Sequence, residues 1–295
     1  MPHAKQPPTI EDVCKEALRL PCSPSLLPRL SLALQSESSS TDEISKLIQI
    51  DPTLASATLR LANSAFFGGP GRSVDSLEQA ILRLGAKEIY RLAALALINR
   101  WPVNNPAGCQ WEPGDFSRHA LCTAIATEVL AEHTGKLDPN IAYTAALVHE
   151  LGKLAVAHAC GDFFPLIRAS QQERQSTWEQ AERTVLGYEH AEVGARLLRA
   201  WRFPELMVMA AEYQHRPTQG PASALPLLAH VHAGRYLAAS MGPGLSEDGF
   251  LFQVNGNFLL EWDFTAPVLE SAMLLSIERA SKCLGEKLSH GTLQF

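Results

Sequence analysis

Ala146-Leu147-Val148-His149-Glu150-Leu151-Gly152-Lys153 decides how this chain is read. An apolar run ends on an imidazole beside a carboxylate, and glycine and lysine follow at once. A neighbouring His and acid can chelate one divalent metal from adjacent backbone positions, and glycine lets a helix stop there. Upstream, Asp138-Pro139 pairs an N-cap with proline at the first helical position. The pattern predicts a helix over Asn140–Leu151 with His149 and Glu150 at its end.

Outward from this stretch, nearly every periodic segment is helical. Residues 11–20 read as a short first helix, and Leu26, Leu27, Leu30 and Leu34 fall at helical spacing in a second. Ser40 and Glu43 form a capping-box pattern that opens Asp42–Ile50. Asp51-Pro52 stops that helix and starts the next, with Leu54, Leu59 and Leu61 expected to face inward. Asn63–Gly71 is a glycine-rich connection. Within it, Asn63–Gly68 reads either as a docking surface or as a helix end whose phenylalanines pack into the core. Asp75 and Glu78 form a second capping pair for Ser76–Leu84, which Gly85 ends. The apolar run Leu92–Ile98 suits a buried helix or a dimer face.

Trp101–Gly114, with three prolines and two asparagines, reads as a linker. Asp115 is expected to cap a helix to His133. Further helices are expected at Pro165–Gln172, Thr177–Leu186, Ala191–Trp201, from Pro204 to about His215, Ala224–Ala239 and Ala266–Leu284. Trp111, Trp178 and Trp201 read as packing anchors. Phe250–Val254 and Asn257–Trp262 flank Asn255-Gly256 in a hairpin-like pattern.

With 295 residues, 46% hydrophobic and 19% charged, the chain reads as globular with ample length for a core. The net charge of −6 comes with scattered Lys and Arg, so no nucleic-acid-binding stripe is present and no nucleic-acid partner is expected. The six cysteines form no C-x-x-C pair and read as free thiols of a reducing compartment. Residues 1–9 lack the apolar core of a signal peptide, and no apolar run suits a membrane span. A cytoplasmic chain without a membrane partner is expected.

Histidines at helix ends carry the chemistry. His119 lies near the start of its helix, His149 at the end of its own, His190 opens one and His215 closes one. Residues at the ends of antiparallel helices can converge on one pocket. These four histidines read either as metal ligands or as hydrogen-bonded positions in a helical core, and a lone histidine fits the second. Glu150 reads as a ligand or as a buried partner of His149, Lys153 or Arg235. Lys153 reads as a phosphate clamp or as a complement to a helix C-terminus.

The order of His, His-acid and later His resembles the HD superfamily of metal-dependent phosphohydrolases. More specifically, the chain resembles the HDOD family of HD-related output domains in bacterial signalling. Three runs carry this, in order: Ile50-Asp51-Pro52-Thr53-Leu54-Ala55, Leu59–Gly68 and Ser76–Gly85. Ala146–Lys153 and His190–Trp201 continue it, over roughly Leu26–Arg216. The resemblance implies an all-α fold of two packed helical lobes. These are an N-terminal lobe over 1–110, an HD-like lobe over 111–217, and C-terminal helices over 218–295 completing the second. It also implies action through a signalling protein partner rather than catalysis. A cyclic dinucleotide or other nucleotide, and a homodimer, are further possible partners.

Departures from the catalytic pattern matter. The acid after His149 is Glu150, one methylene longer than aspartate. A distant aspartate would fall in Val231–Ala238, but Gly234 or Arg235 occupies its place, and an arginine there would repel a cation. The Gly-Tyr-Pro signature of the cyclic-di-GMP-degrading branch is missing. His119, His149, Glu150, Lys153, His190, His215 and Arg235 therefore read as a relic site, with no catalytic residue and no cofactor expected. The competing reading is a metal-dependent phosphohydrolase acting on a phosphoester or cyclic nucleotide. His119, His149, Glu150, His190 and His215 would then be ligands and Lys153 the phosphate clamp.

Overall fold

Short-range turn chemistry sets the helix ends. In a computed structural model, described for residues 6–19, 26–35, 40–64, 67, 73–98, 112, 114–242 and 254–284, every regular element is helical. The chain forms two compact units: residues 21–101, and residues 1–20 with 102–295. After α1 (Ile10–Arg19), the smaller unit holds α2 (Leu26–Gln35), α3 (Thr41–Gln49), α4 (Pro52–Ala62) and α5 (Leu77–Ile98). The larger continues with α6 (Asp115–Thr134), α7 (Pro139–Val148), α8 (Leu151–Cys160), α9 (Phe164–Arg174) and α10 (Trp178–Leu186). It ends with α11 (His190–Ala200), α12 (Glu205–Glu212), α13 (Leu225–Ser240), α14 (Gly256–Glu261) and α15 (Ala266–Leu284).

In the smaller unit, Ser40 accepts the Glu43 amide, and Asp51 Oδ1 accepts the Leu54 amide ahead of Pro52. Both caps match the sequence reading. The third does not: Ser76 Oγ, not Asp75, accepts the Gln79 amide, so the helix starts one residue later. Gly85 (φ 78°, ψ 164°) breaks α5 into two helical runs, in a conformation that only glycine adopts readily. On α4 the buried stripe is Leu54, Thr58 and Ala62, whereas Leu59 and Leu61 are half-buried. Asn63 bonds both the Val74 amide and the Val74 carbonyl, so it clamps the two ends of the glycine-rich connection. Phe66 and most of the linker from Trp101 to Gly114, including Trp111, lie outside the described residues.

The larger unit is built on α6, which packs against α7, α13 and α15. A second layer sets α11 on α8 and α12. Helix α1 packs on α8 and α11, with Ile10, Val13 and Ala17 buried. Its i, i+3, i+7 stripe covers the larger unit, although the sequence grouped residues 1–20 with the smaller one. Trp178 and Trp201 are buried here. The expected hairpin is absent where it is described: Asn257–Trp262 belongs to α14 and its C-cap. Asn255 accepts the Phe258 amide and serves as an N-cap rather than a turn residue. Residues Phe250–Gln253 lie outside the described residues.

The expected Asn140–Leu151 helix is also divided. Helix α7 ends at Val148, Glu150 turns the chain (φ −100°, ψ 11°), and α8 starts at Leu151. Gly152 is thus not the stop signal. It lies inside α8, where a Cβ would run into the His190 carbonyl oxygen and sit 2.6 Å from the Gly194 nitrogen. Gly152 and Gly194 let α8 and α11 cross backbone to backbone. Because the obstruction is main chain, Gly152→Ala should lower unfolding free energy by about 3 kcal/mol in urea denaturation. Gly256→Ala, where a Cβ meets nothing within 4 Å, should change it by less than about 1 kcal/mol.

Candidate functional site

The turn between α7 and α8 directs His149 and Glu150 into the larger unit, where both are buried. Burial alone would raise the Glu150 carboxyl. Lys153, then His119 and Arg235, instead hold it well below the usual carboxylate range. The geometry agrees. Lys153 Nζ lies 3.0 Å and Arg235 Nη2 3.2 Å from Glu150 Oε1. His119 Nε2 lies 3.0 Å from the other oxygen, Oε2. His119, Lys153 and Arg235 are all buried. The i, i+3 spacing on α8 brings Lys153 back over Glu150. Arg235 arrives from α13 and also donates to the Gln214 carbonyl at 3.2 Å.

His149 Nδ1 donates to the Ala146 carbonyl at 2.6 Å, so Nε2 carries the lone pair. That Nε2 is buried without a hydrogen-bond partner and stands 3.9 Å from Glu150 Oε1. Burial, partly offset by Glu150, pushes His149 down to about 3. Gln214 Nε2 donates to the His149 carbonyl at 3.2 Å.

A second cluster adjoins the first. His190 Nδ1 lies 2.7 Å from Glu182 Oε2, and the His190 amide donates to the same oxygen at 2.8 Å. Trp178 Nε1 donates to Glu182 Oε1 at 2.9 Å. Although burial opposes it, the Glu182 carboxylate raises the His190 pKa. His215 Nε2 is 2.9 Å from His190 Nε2. Burial, then Arg235 and His190, hold His215 well below its ordinary value. His190 Nδ1 thus donates to the Glu182 carboxylate, and its Nε2 shares one proton with His215 Nε2.

All seven sequence candidates thus meet in two adjoining clusters. Glu182 and Gln214 were missed. Glu182 had one signal, an acid on the buried face of α10 between Trp178 and Leu186. Gln214 had none. Other histidines do not join: His230 pairs with Thr134 Oγ1 and the Pro226 carbonyl, and His232 Nε2 accepts the Asn255 amide. The structure also answers which residue of α13 enters the site. A Cβ on Gly234 would run into Thr127 Oγ1 on α6, so Gly234 serves the helix crossing and Arg235 the cluster. Beside His215 a surface cavity of about 540 Å³ is lined by Arg216, Thr218, Gln219, His232, Asn255 and Asn257, among others.

A divalent-metal pair is implied by the HD resemblance, and these residues do not fit it. Glu150 Oε1 already contacts two cations of the chain, and α13 contributes a guanidinium where an aspartate ligand is needed. Among the described residues no group of three His, Cys, Asp or Glu is arranged to hold one ion.

An all-helical unit encloses these buried His, acid and basic residues. The profile of the HDOD domain matches residues 20–217, and the chain belongs to that family. It is similar to an HDOD domain protein of Geobacter sulfurreducens, with 21% identity and a TM-score of 0.68, covering 92% of this chain and 94% of that one. A protein of Marinobacter aquaeolei, provisionally designated a signal transduction protein, is 23% identical with a TM-score of 0.72; the match covers 96% of this chain and 61% of that one. An uncharacterized protein of Treponema pallidum is 26% identical over 218 residues, 72% of this chain. The match spans 40% of that relative's length. Among the described residues no helix is long and apolar enough to cross a membrane.

Two measurements probe the clusters. His149 has its folded pKa depressed from 6.5 to about 3. The unfolded chain therefore takes up a proton that the folded chain refuses. The stability from neutral His149 is complete above pH 6.5 and is lost as pH falls toward about 3. His215 acts with the same sign. His149→Asn should flatten the acid limb of a stability–pH profile by about 1.4 kcal/mol per pH unit. Arg235→Met should lower stability by about 3 kcal/mol or more at neutral pH in the same denaturation assay, because it breaks a buried pair from one side.

Proposed function

We propose that this HDOD chain is a non-catalytic signal-transduction module that acts by binding a protein partner. The observation that supports this reading is the pairing of Glu150 with Lys153 and Arg235. A carboxylate already paired with an ammonium and a guanidinium is a poor ligand for a dication, and hydrolysis of the HD type needs that dication to generate its nucleophile. Function is argued from the site and not from the fold, which hosts both enzymes and binding modules. The provisional signalling designation of the Marinobacter protein is in keeping with this reading.

The competing phosphohydrolase reading predicts metal-dependent turnover. Purified protein supplied with Mn²⁺, Fe²⁺ or Ni²⁺ should leave bis(p-nitrophenyl) phosphate at its background rate. Turnover that disappears in His149→Ala would refute the proposal. A deletion strain should also be complemented by His149→Asn as well as by the wild type; loss of complementation by an abundant, folded variant would count equally against it.

A second reading, nucleotide sensing without hydrolysis, rests on the cavity beside His215. Its volume falls within the usual range of small-ligand sites, roughly 300–1,000 Å³. A melting temperature raised by a cyclic dinucleotide, and no longer raised in Asn257→Ala, would favour it.

A further inference from the structure

The site retains one feature of a metal centre that its charges contradict. His149 donates Nδ1–H to the Ala146 carbonyl and leaves the Nε2 lone pair buried without a hydrogen-bond partner. A backbone carbonyl on one ring nitrogen is the arrangement that fixes the tautomer of a metal-ligating histidine. His119 Nε2 and Glu150 lie beside it. Imidazole nitrogen with carboxylate oxygen suits a borderline divalent ion such as Mn²⁺, Fe²⁺, Ni²⁺ or Zn²⁺.

The opposing feature is Arg235. Its Nη2 stands 3.2 Å from Glu150 Oε1, the oxygen that Lys153 Nζ approaches to 3.0 Å. Residue 235 is also the position on α13 whose side chain enters the site, since Gly234 is pressed onto Thr127. An acid at 235 would face Glu150, whereas one at 234 would collide with α6. Replacing a guanidinium (+1) with a carboxylate (−1) changes the local charge by −2, which matches the charge of a divalent ion.

We propose that Arg235 keeps a latent divalent-metal site closed, its guanidinium standing in the charge position that an ion would take between Glu150, His119 and His149. Lys153 assists as the second internal cation. The clasp fastens α13 to the α7–α8 turn, and through the Gln214 carbonyl to the chain after α12, without an ion from solution. The inference rests on the cation-paired Glu150 that also supports the proposed function. Its readouts are metal content and melting temperature, independent of turnover.

The full chain and Arg235→Asp are purified without chelator, dialysed, titrated with Mn²⁺ and Ni²⁺, analysed for bound metal and melted with and without EDTA. The wild type should hold far less than one equivalent of metal and melt at the same temperature under all conditions. Metal-free Arg235→Asp should melt below the wild type. It should bind about one equivalent of metal and melt roughly 5 °C or more higher when saturated. Adding His149→Ala should abolish that gain. Stoichiometric, His149-dependent metal in the wild type would overturn the inference, and so would a folded Arg235→Asp that binds neither ion. If Arg235→Asp does not fold, Arg235→Glu substitutes, which also supplies the missing acid: His149-dependent Ni²⁺ binding is expected, and no binding overturns the inference. Wild-type hydrolysis, assayed separately, bears on the proposed function alone.

Discussion

A carboxylate withdrawn from water requires cations and donors around it, and Glu150 has both from three directions. Lys153 comes from the next turn of its own helix, Arg235 from α13, and His119 from α6. Each contact ties a different helix to the α7–α8 turn. In a low-dielectric interior such pairs hold firmly when every member is present, and a missing partner leaves a charge buried without compensation. The positions of α6, α8 and α13 in the larger unit therefore depend on this one carboxylate. The short break between α7 and α8 aims it inward.

Glu182 has the same role in the adjoining cluster. It accepts from Trp178, from the His190 amide and from the His190 ring, so one acid positions the start of α11 and orients the His190 ring. His190 Nε2 in turn meets His215 Nε2 at 2.9 Å. The two clusters can adjoin because the helices that carry them lie unusually close. Gly152 meets Gly194 where α8 crosses α11, and Gly234 meets Thr127 where α13 crosses α6. Removing side-chain bulk at these crossings shortens the reach from Arg235 to Glu150. The glycines and the charges belong to one arrangement.

This arrangement shows how a helical frame can enclose buried histidines and acids whose charge is balanced by cations of the chain itself. The frame depends on apolar stripes and caps, which tolerate change at the centre. Metal binding depends on the sign of the charge at a few atoms. Here Lys153 and Arg235 set that sign within the packed helices, and function is argued from such a site and not from the fold.

Much of the fold was legible along the chain because helix caps and apolar periodicity are short-range signals. Ser40, Asp51 and Asp138 opened their helices as read, and Gly85 interrupted its own. The errors came where two local signals competed. Asn255-Gly256 has the composition of a hairpin turn but works as a cap, because Phe258 and Leu259 are buried on a helical face. Asp75 and Ser76 are both competent caps, and geometry chose the second. Sequence alone determined that the class is all-helical, that the family is HDOD, and which histidines and acid belong together, because residue type and spacing encode these directly. Tertiary structure alone decided that Gly152 is a helix crossing and not a stop, that Arg235 and not Gly234 enters the site, and that Glu182 anchors His190. Those outcomes depend on which backbone passes within a few ångströms of another, a quantity set by the packing of distant helices and written in no local stretch of residues.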